Sequence, residues 1–150
     1  GYYMRPRTDR NELEKYHEGL IVCSACIGGE VPKKIINDQL EDAEEAIRWY
    51  KNLFGEDYYL ELQRHRATIP RANHEAYPLQ QKANAKLIEF AKKYNIKLIC
   101  SNDVHFVNEE HAEAHDRLIC LSTGKDLDDP NRMLYTKQDE DEGRDERALC

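Results

Sequence analysis

Apolar positions along this chain follow two alternating rhythms: short unbroken runs, and longer series stepped by threes and fours. Residues 20–24 (LIVCS) form a run compatible with a short buried strand. Ile36, Leu40, Ala43, Ile47, Tyr50 and Phe54 then recur at helical spacing, which predicts one amphipathic helix stopped by Gly55. Residues 58–62 (YYLEL) predict a second strand, and residues 66–78, with Pro70 and Pro78, a loop. Leu79, Ala83, Leu87, Phe90 and Tyr94 mark a second helix. Lys92 and Lys93 suit its carboxyl end, and Asn95 its cap. Residues 97–101 predict a third strand. Asn108 is the expected N-cap of a third helix, with Glu109 and Glu110 facing its dipole and Ala114, Leu118 and Leu121 turned inward.

Strands alternating with helices of this length imply parallel βαβ units with right-handed crossovers. The expected class is α/β, about three strands and three helices, in a Rossmann-like sheet or part of a barrel. One hundred and fifty residues make one domain or a piece of a larger one.

With 34% charged residues and a mean hydropathy of −0.86, the chain is expected to be soluble. No run approaches the roughly eighteen apolar residues that a membrane-spanning helix needs. No signal peptide opens the sequence, so the expected setting is cytoplasmic. There the cysteines at 23, 26, 100, 120 and 150 should be thiols. Residues 139–150 hold six acidic and two basic residues, net −4, which leaves −3 of the total −7 for the rest. That acidic end is expected to be a disordered tail. The nearly balanced body has no basic stripe, so this segment is not the main electrostatic grip on any nucleic acid.

The chemistry concentrates in residues 98–106 (LICSNDVHF). If the third strand persists, its period of two sends Asp103 and His105 to the same side. A carboxylate and an imidazole paired at a buried strand end are a candidate metal site. The alternative is an Asp accepting a hydrogen bond from a core His. Cys26, just beyond the first strand, lies where parallel-sheet enzymes place their chemistry. Cys23 and Cys26 form a C-x-x-C pair, but three residues of separation around a strand end point them apart, against a redox pair. Gly28 and Gly29 follow a strand without the G-x-G-x-x-G spacing of a dinucleotide turn. His111 and His115 are four apart on a helix but lack the H-E-x-x-H pattern; one is expected to face solvent and the other to pack. His65 follows a strand, where a solvated loop residue or a place on the same rim are both open.

Five phrases in order resemble one family: EGLIVCSACIGGE (18–30), YLELQRH (59–65), SNDVHF (101–106), AEAHD (112–116) and TGKDLDDPNRM (123–133). They are similar to the PHP (polymerase and histidinol phosphatase) domain found at the amino end of bacterial DNA polymerase III alpha subunits. The resemblance covers residues 1–138 and implies part of a distorted, seven-stranded (βα) barrel with metals at the carboxyl ends of its strands. It implies a divalent-metal cofactor (Zn, Mn or Mg) and, where the full ligand set is kept, a 3′–5′ exonuclease. Cys26, Asp103 and His105 match ligand positions of the family, and His65 would stand behind the ligands. The family's early His-x-His motif is not in this sequence, nor are the polymerase carboxylates. The chain is therefore expected to be the carboxyl-terminal half of the domain and inactive alone. DNA and other replicase subunits are the implied partners of the whole polymerase. Open edges and wet helix faces imply self-association of this piece. A non-catalytic interaction module and a phosphatase of the histidinol-phosphate type are the alternatives.

Overall fold

The computed structural model describes residues 7–65, 76–108, 110–129 and 132. A three-stranded parallel sheet has the order β1 (Val22–Cys23), β2 (Tyr58–Gln63), β3 (Lys97–Ser101). Among the described residues five α-helices accompany it: α1 (Arg10–Tyr16), α2 (Glu30–Ile36), α3 (Leu40–Phe54), α4 (Tyr77–Tyr94) and α5 (His111–Thr123). The α/β class and the parallel pairing are as expected. The sheet is open, however, and the seven-stranded closure implied by the resemblance is not formed by the described residues. The tail at 139–150 lies outside them.

Five helices replace the expected three for two reasons. The short α1 carries no apolar stripe and buries no residue, so periodicity gave no sign of it. Asp9 caps it by accepting from the Glu12 amide. The series that predicted one helix is split at residues 37–39, where Asp38 takes a left-handed φ of 60°. Ile36 therefore ends α2 while Leu40 begins α3. Gly55 stops α3 with φ 57°, a value that a side chain rarely tolerates. Asn95 closes α4 in the left-handed region, as its sequence predicted. Pro78 is not in a loop but in the first turn of α4, where a missing amide proton does no harm.

The core forms where α2 packs on α3 and α4 and these two press on β2, around Val31, Ile35, Ala43, Ile47, Tyr58, Leu60, Leu87 and Phe90. Helix α1 is tied on through Glu30, which accepts from Arg10 and from the Tyr50 hydroxyl. Helices α3 and α4 are joined at Glu44, which accepts from Lys93 and Tyr94. The hydrogen bonds from Lys93 and then Tyr94 hold the Glu44 carboxyl below its ordinary pKa of 4.5.

Helix α5 departs from expectation. Leu118 and Leu121 are 61% and 80% exposed and Ala114 is exposed, while Ala112 and Cys120 are buried. Its apolar stripe is real but faces solvent, because α5 packs little against the sheet or the other helices. Its start also shifts. Asn108 does not cap it; the Asn108 carbonyl accepts from the His111 amide in the turn before the helix.

Ile47→Ala in the closed core is expected to cost about 2–5 kcal/mol. Leu121→Ser on the wet face should change stability by less than about 0.5 kcal/mol, both read from urea unfolding. Glu44 has a lowered folded-state pKa, so its contribution is present in full above about pH 4.5 and is lost as pH falls further. The melting temperature of the wild type should therefore fall more steeply on acidification than that of Glu44→Gln.

Candidate functional site

Parallel pairing brings the carboxyl ends of the three strands to one edge, and polar side chains join them there. Ser24, one residue beyond β1, has its Oγ accepting from the Glu61 amide of β2 at 2.8 Å. The Glu61 carboxylate accepts from the Ser101 hydroxyl of β3 and from Gln63 Nε2, the latter at 2.9 Å. The register sets Gln63 opposite Ser101, so these groups meet because the ladder aligns them. Gln63 is 5% exposed and its Oε1 has no partner. The carboxylate needs donors, which fixes the amide with its nitrogen toward Glu61.

Cys26 sits in the turn that follows β1. Ala25 has a φ of 61°, and the Gly29 amide donates to the Cys26 carbonyl at 2.8 Å. A Cβ on Gly29 would lie 2.3 Å from the Ser24 carbonyl oxygen, so this turn closes only with glycine there. Cys26 lines a shallow, open cleft together with Glu61, Gln63, Gln80 and Asn84. Cys23 differs: burial first, and the Glu61 charge second, push its thiol pKa above the ordinary 9.0. A raised pKa favours the thiol over the thiolate at Cys23. The four described cysteines are free thiols, and Cys150 lies outside the described residues.

Asp103 and His105 do not share a strand face, contrary to the expectation from a continuing third strand. Strand β3 ends at Ser101, and Asp103 has a left-handed φ of 47°. Strand alternation therefore stops before it reaches either residue. What joins them instead is local: His105 Nδ1 lies 2.5 Å from the Asp103 backbone carbonyl. A carbonyl only accepts, so Nδ1 carries the proton and Nε2 is the acceptor nitrogen of the neutral ring. That is the tautomer of a metal-binding imidazole whose far nitrogen is held by the backbone. The ring also lies 5.4 Å from that of His115, which packs on Phe106 as well, while His111 is exposed, the division expected of that pair.

His65 has the opposite tautomer. Its Nε2 donates to the Asn102 carbonyl at 2.7 Å, and its Nδ1 accepts from Gln80 Nε2 at 2.7 Å. It is half-buried and bonded at both nitrogens, so the solvated-loop alternative falls away.

Cys26, Asp103 and His105 are not gathered into one cluster. Among the described residues, no three His, Cys, Asp or Glu side chains come together closely enough to hold a metal ion. The donor types fit a divalent metal; their present spacing does not. No helix of the described residues is long and apolar enough to cross a membrane.

Sequence reasoning missed Gln80 and the Asp116–Arg132 pair. Gln80 occupies a core position of α4, in step with Ala83, Leu87 and Phe90, and a polar residue at such a position was its signal. Arg132 is 3% exposed, forks onto the Asp116 carboxylate and donates from Nε to the Leu127 carbonyl at 2.7 Å. It thereby ties the AEAHD and TGKDLDDPNRM phrases together.

Parallel strands that bring their polar carboxyl ends to one edge make this an α/β unit, and the sequence comparison shows what it is similar to. Residues 1–65 match the family model of the PHP domain. The chain is similar to DNA polymerase III subunit alpha of Borreliella burgdorferi, 43% identical over 133 residues, covering 89% of this chain and 11% of that protein. The Thermus aquaticus subunit is 37% identical over 135 residues and the Aquifex aeolicus subunit 39% over 141, covering 90% and 94% of this chain. The chain thus carries PHP-domain sequence and is related to polymerase alpha subunits over about nine-tenths of its length, while spanning about a tenth of theirs.

In long-range 1H–15N correlation spectra of the neutral protein, His105 should show a protonated Nδ1 and His65 a protonated Nε2. Matching tautomers at the two rings would contradict this geometry.

Proposed function

We propose that the chain is part of the PHP domain of a replicative DNA polymerase alpha subunit, in which Cys26, Asp103 and His105 supply ligands to a divalent-metal site. The observation that carries this reading is the similarity to polymerase alpha subunits over about nine-tenths of this chain, with His105 Nδ1 held by the Asp103 carbonyl in the stretch that matches the family's ligand phrase. The soft thiolate of Cys26 beside imidazole and carboxylate donors suits Zn, with Mn or Mg served by the oxygens. Other ligands would come from the rest of the alpha subunit. When bound, the metal would supply an activated water and charge neutralisation at a phosphodiester, the chemistry of a 3′–5′ exonuclease. This chain's residues hold the ligands in place: Ser24, Glu61 and Ser101 lock the strand ends, and the turn at Gly29 sets Cys26. DNA and further replicase subunits are the partners proposed for the whole polymerase, in the cytoplasm.

The separation of the three ligands supports a second reading, a non-catalytic module in which the polar strand ends serve only the fold. Zinc titration followed by native mass spectrometry separates the two. Uptake by the wild type above that of the Cys26→Ala/His105→Ala variant is expected; equal uptake favours the module. The isolated chain is expected to release no nucleotide from a 3′-labelled oligonucleotide above background. Release that is lost in Asp103→Ala would overturn that expectation. The exposed leucines of α5 favour self-association of the isolated chain, which solution scattering should show as a species larger than a monomer.

A further inference from the structure

We infer that His65, locked by Gln80, is a positioning residue for the loop at 102–105, setting the peptide from which the groups of Asp103 and His105 are presented. The inference rests on the metal reading for its functional meaning, but its geometry stands separately.

Gln80 is 4% exposed and grips His65 from both ends of its amide. Its Oε1 accepts from the His65 backbone amide at 2.7 Å, and its Nε2 donates to the ring Nδ1 at 2.7 Å. A ring held through its own backbone and one nitrogen has a fixed orientation. Its remaining N–H is aimed at the Asn102 carbonyl, 2.7 Å away. Asn102 is the first residue past β3, and its carbonyl shares a peptide plane with the Asp103 amide. The left-handed φ of Asp103 starts from that plane, and the Asp103 carbonyl in turn receives the His105 Nδ1 proton. A continuous series of bonds therefore runs from a buried helix position, through His65 and the Asn102–Asp103 peptide, to the His105 ring. Gln80 also lines the cleft beside Cys26. Such backing groups commonly tune metal affinity without touching the metal.

The test uses the whole chain with three variants. His65→Leu removes both ring nitrogens, His65→Gln keeps an N–H near the position of Nε2, and Gln80→Leu releases the ring. Amide hydrogen exchange is read at residues 103–106, with the β2 amides as internal reference, and Co2+ affinity is read from the thiolate-to-cobalt absorption. In His65→Leu and Gln80→Leu, loop exchange should rise about tenfold with β2 unchanged, and His65→Gln should restore it to within about threefold. Co2+ affinity should fall about tenfold in His65→Leu and recover in His65→Gln. Unchanged loop exchange in His65→Leu overturns the inference. If β2 also loosens in His65→Leu, failure of His65→Gln to restore the loop overturns it. Should His65→Leu bind Co2+ like the wild type while Asp103→Ala and His105→Ala lose it, the positioning role is wrong and the metal reading survives. Should Asp103→Ala and His105→Ala bind like the wild type, the metal reading falls, and the exchange result alone decides whether His65 orders the loop.

Discussion

Strand β2 is hydrogen-bonded on both of its edges, and everything that resembles a site hangs from that fact. Only a strand with a parallel neighbour on each side can hold three chain crossings with their carboxyl ends together. Ser24, Glu61, Gln63 and Ser101 then meet by register, and their hydrogen bonds satisfy all but the Gln63 Oε1 of polar groups that would otherwise be costly to bury. The turn bearing Cys26 and the loop bearing Asp103 and His105 both leave from this edge. Chemistry at the ends of parallel strands thus follows from backbone pairing before any side chain is considered.

The legible parts of the fold were those decided within one element. Strand β3 lies where its run of residues placed it, and α4 ends at Asn95 because a left-handed cap is a local property. The break at residues 37–39 was hidden, since an apolar series keeps its step of three or four across a single left-handed residue. The direction of α5 was hidden for another reason. Periodicity shows that Ala114, Leu118 and Leu121 share a face, but only neighbours decide whether that face is covered.

At the site, residue types were legible and directions were not. Alternation along a strand ceases where the strand ends, and Asp103 turns left-handed two residues too early for the argument to reach His105. The link that replaces it, ring nitrogen to backbone carbonyl, leaves no trace in spacing. Gln80 was visible only as a polar residue in an apolar stripe, and its meaning came from seeing both ends of its amide engaged with His65.

The adjacent glycines after β1 carry unequal burdens. At Gly28 an added methyl would rest 3.7 Å from the Cys26 sulphur, an ordinary contact that shields the thiol while sparing the backbone. At Gly29 the same methyl would collide with a carbonyl oxygen and force the hairpin-like bend open. Evolutionary drift, or a designer wishing to mask that sulphur from alkylating reagents, therefore has latitude at the first position and none at the second.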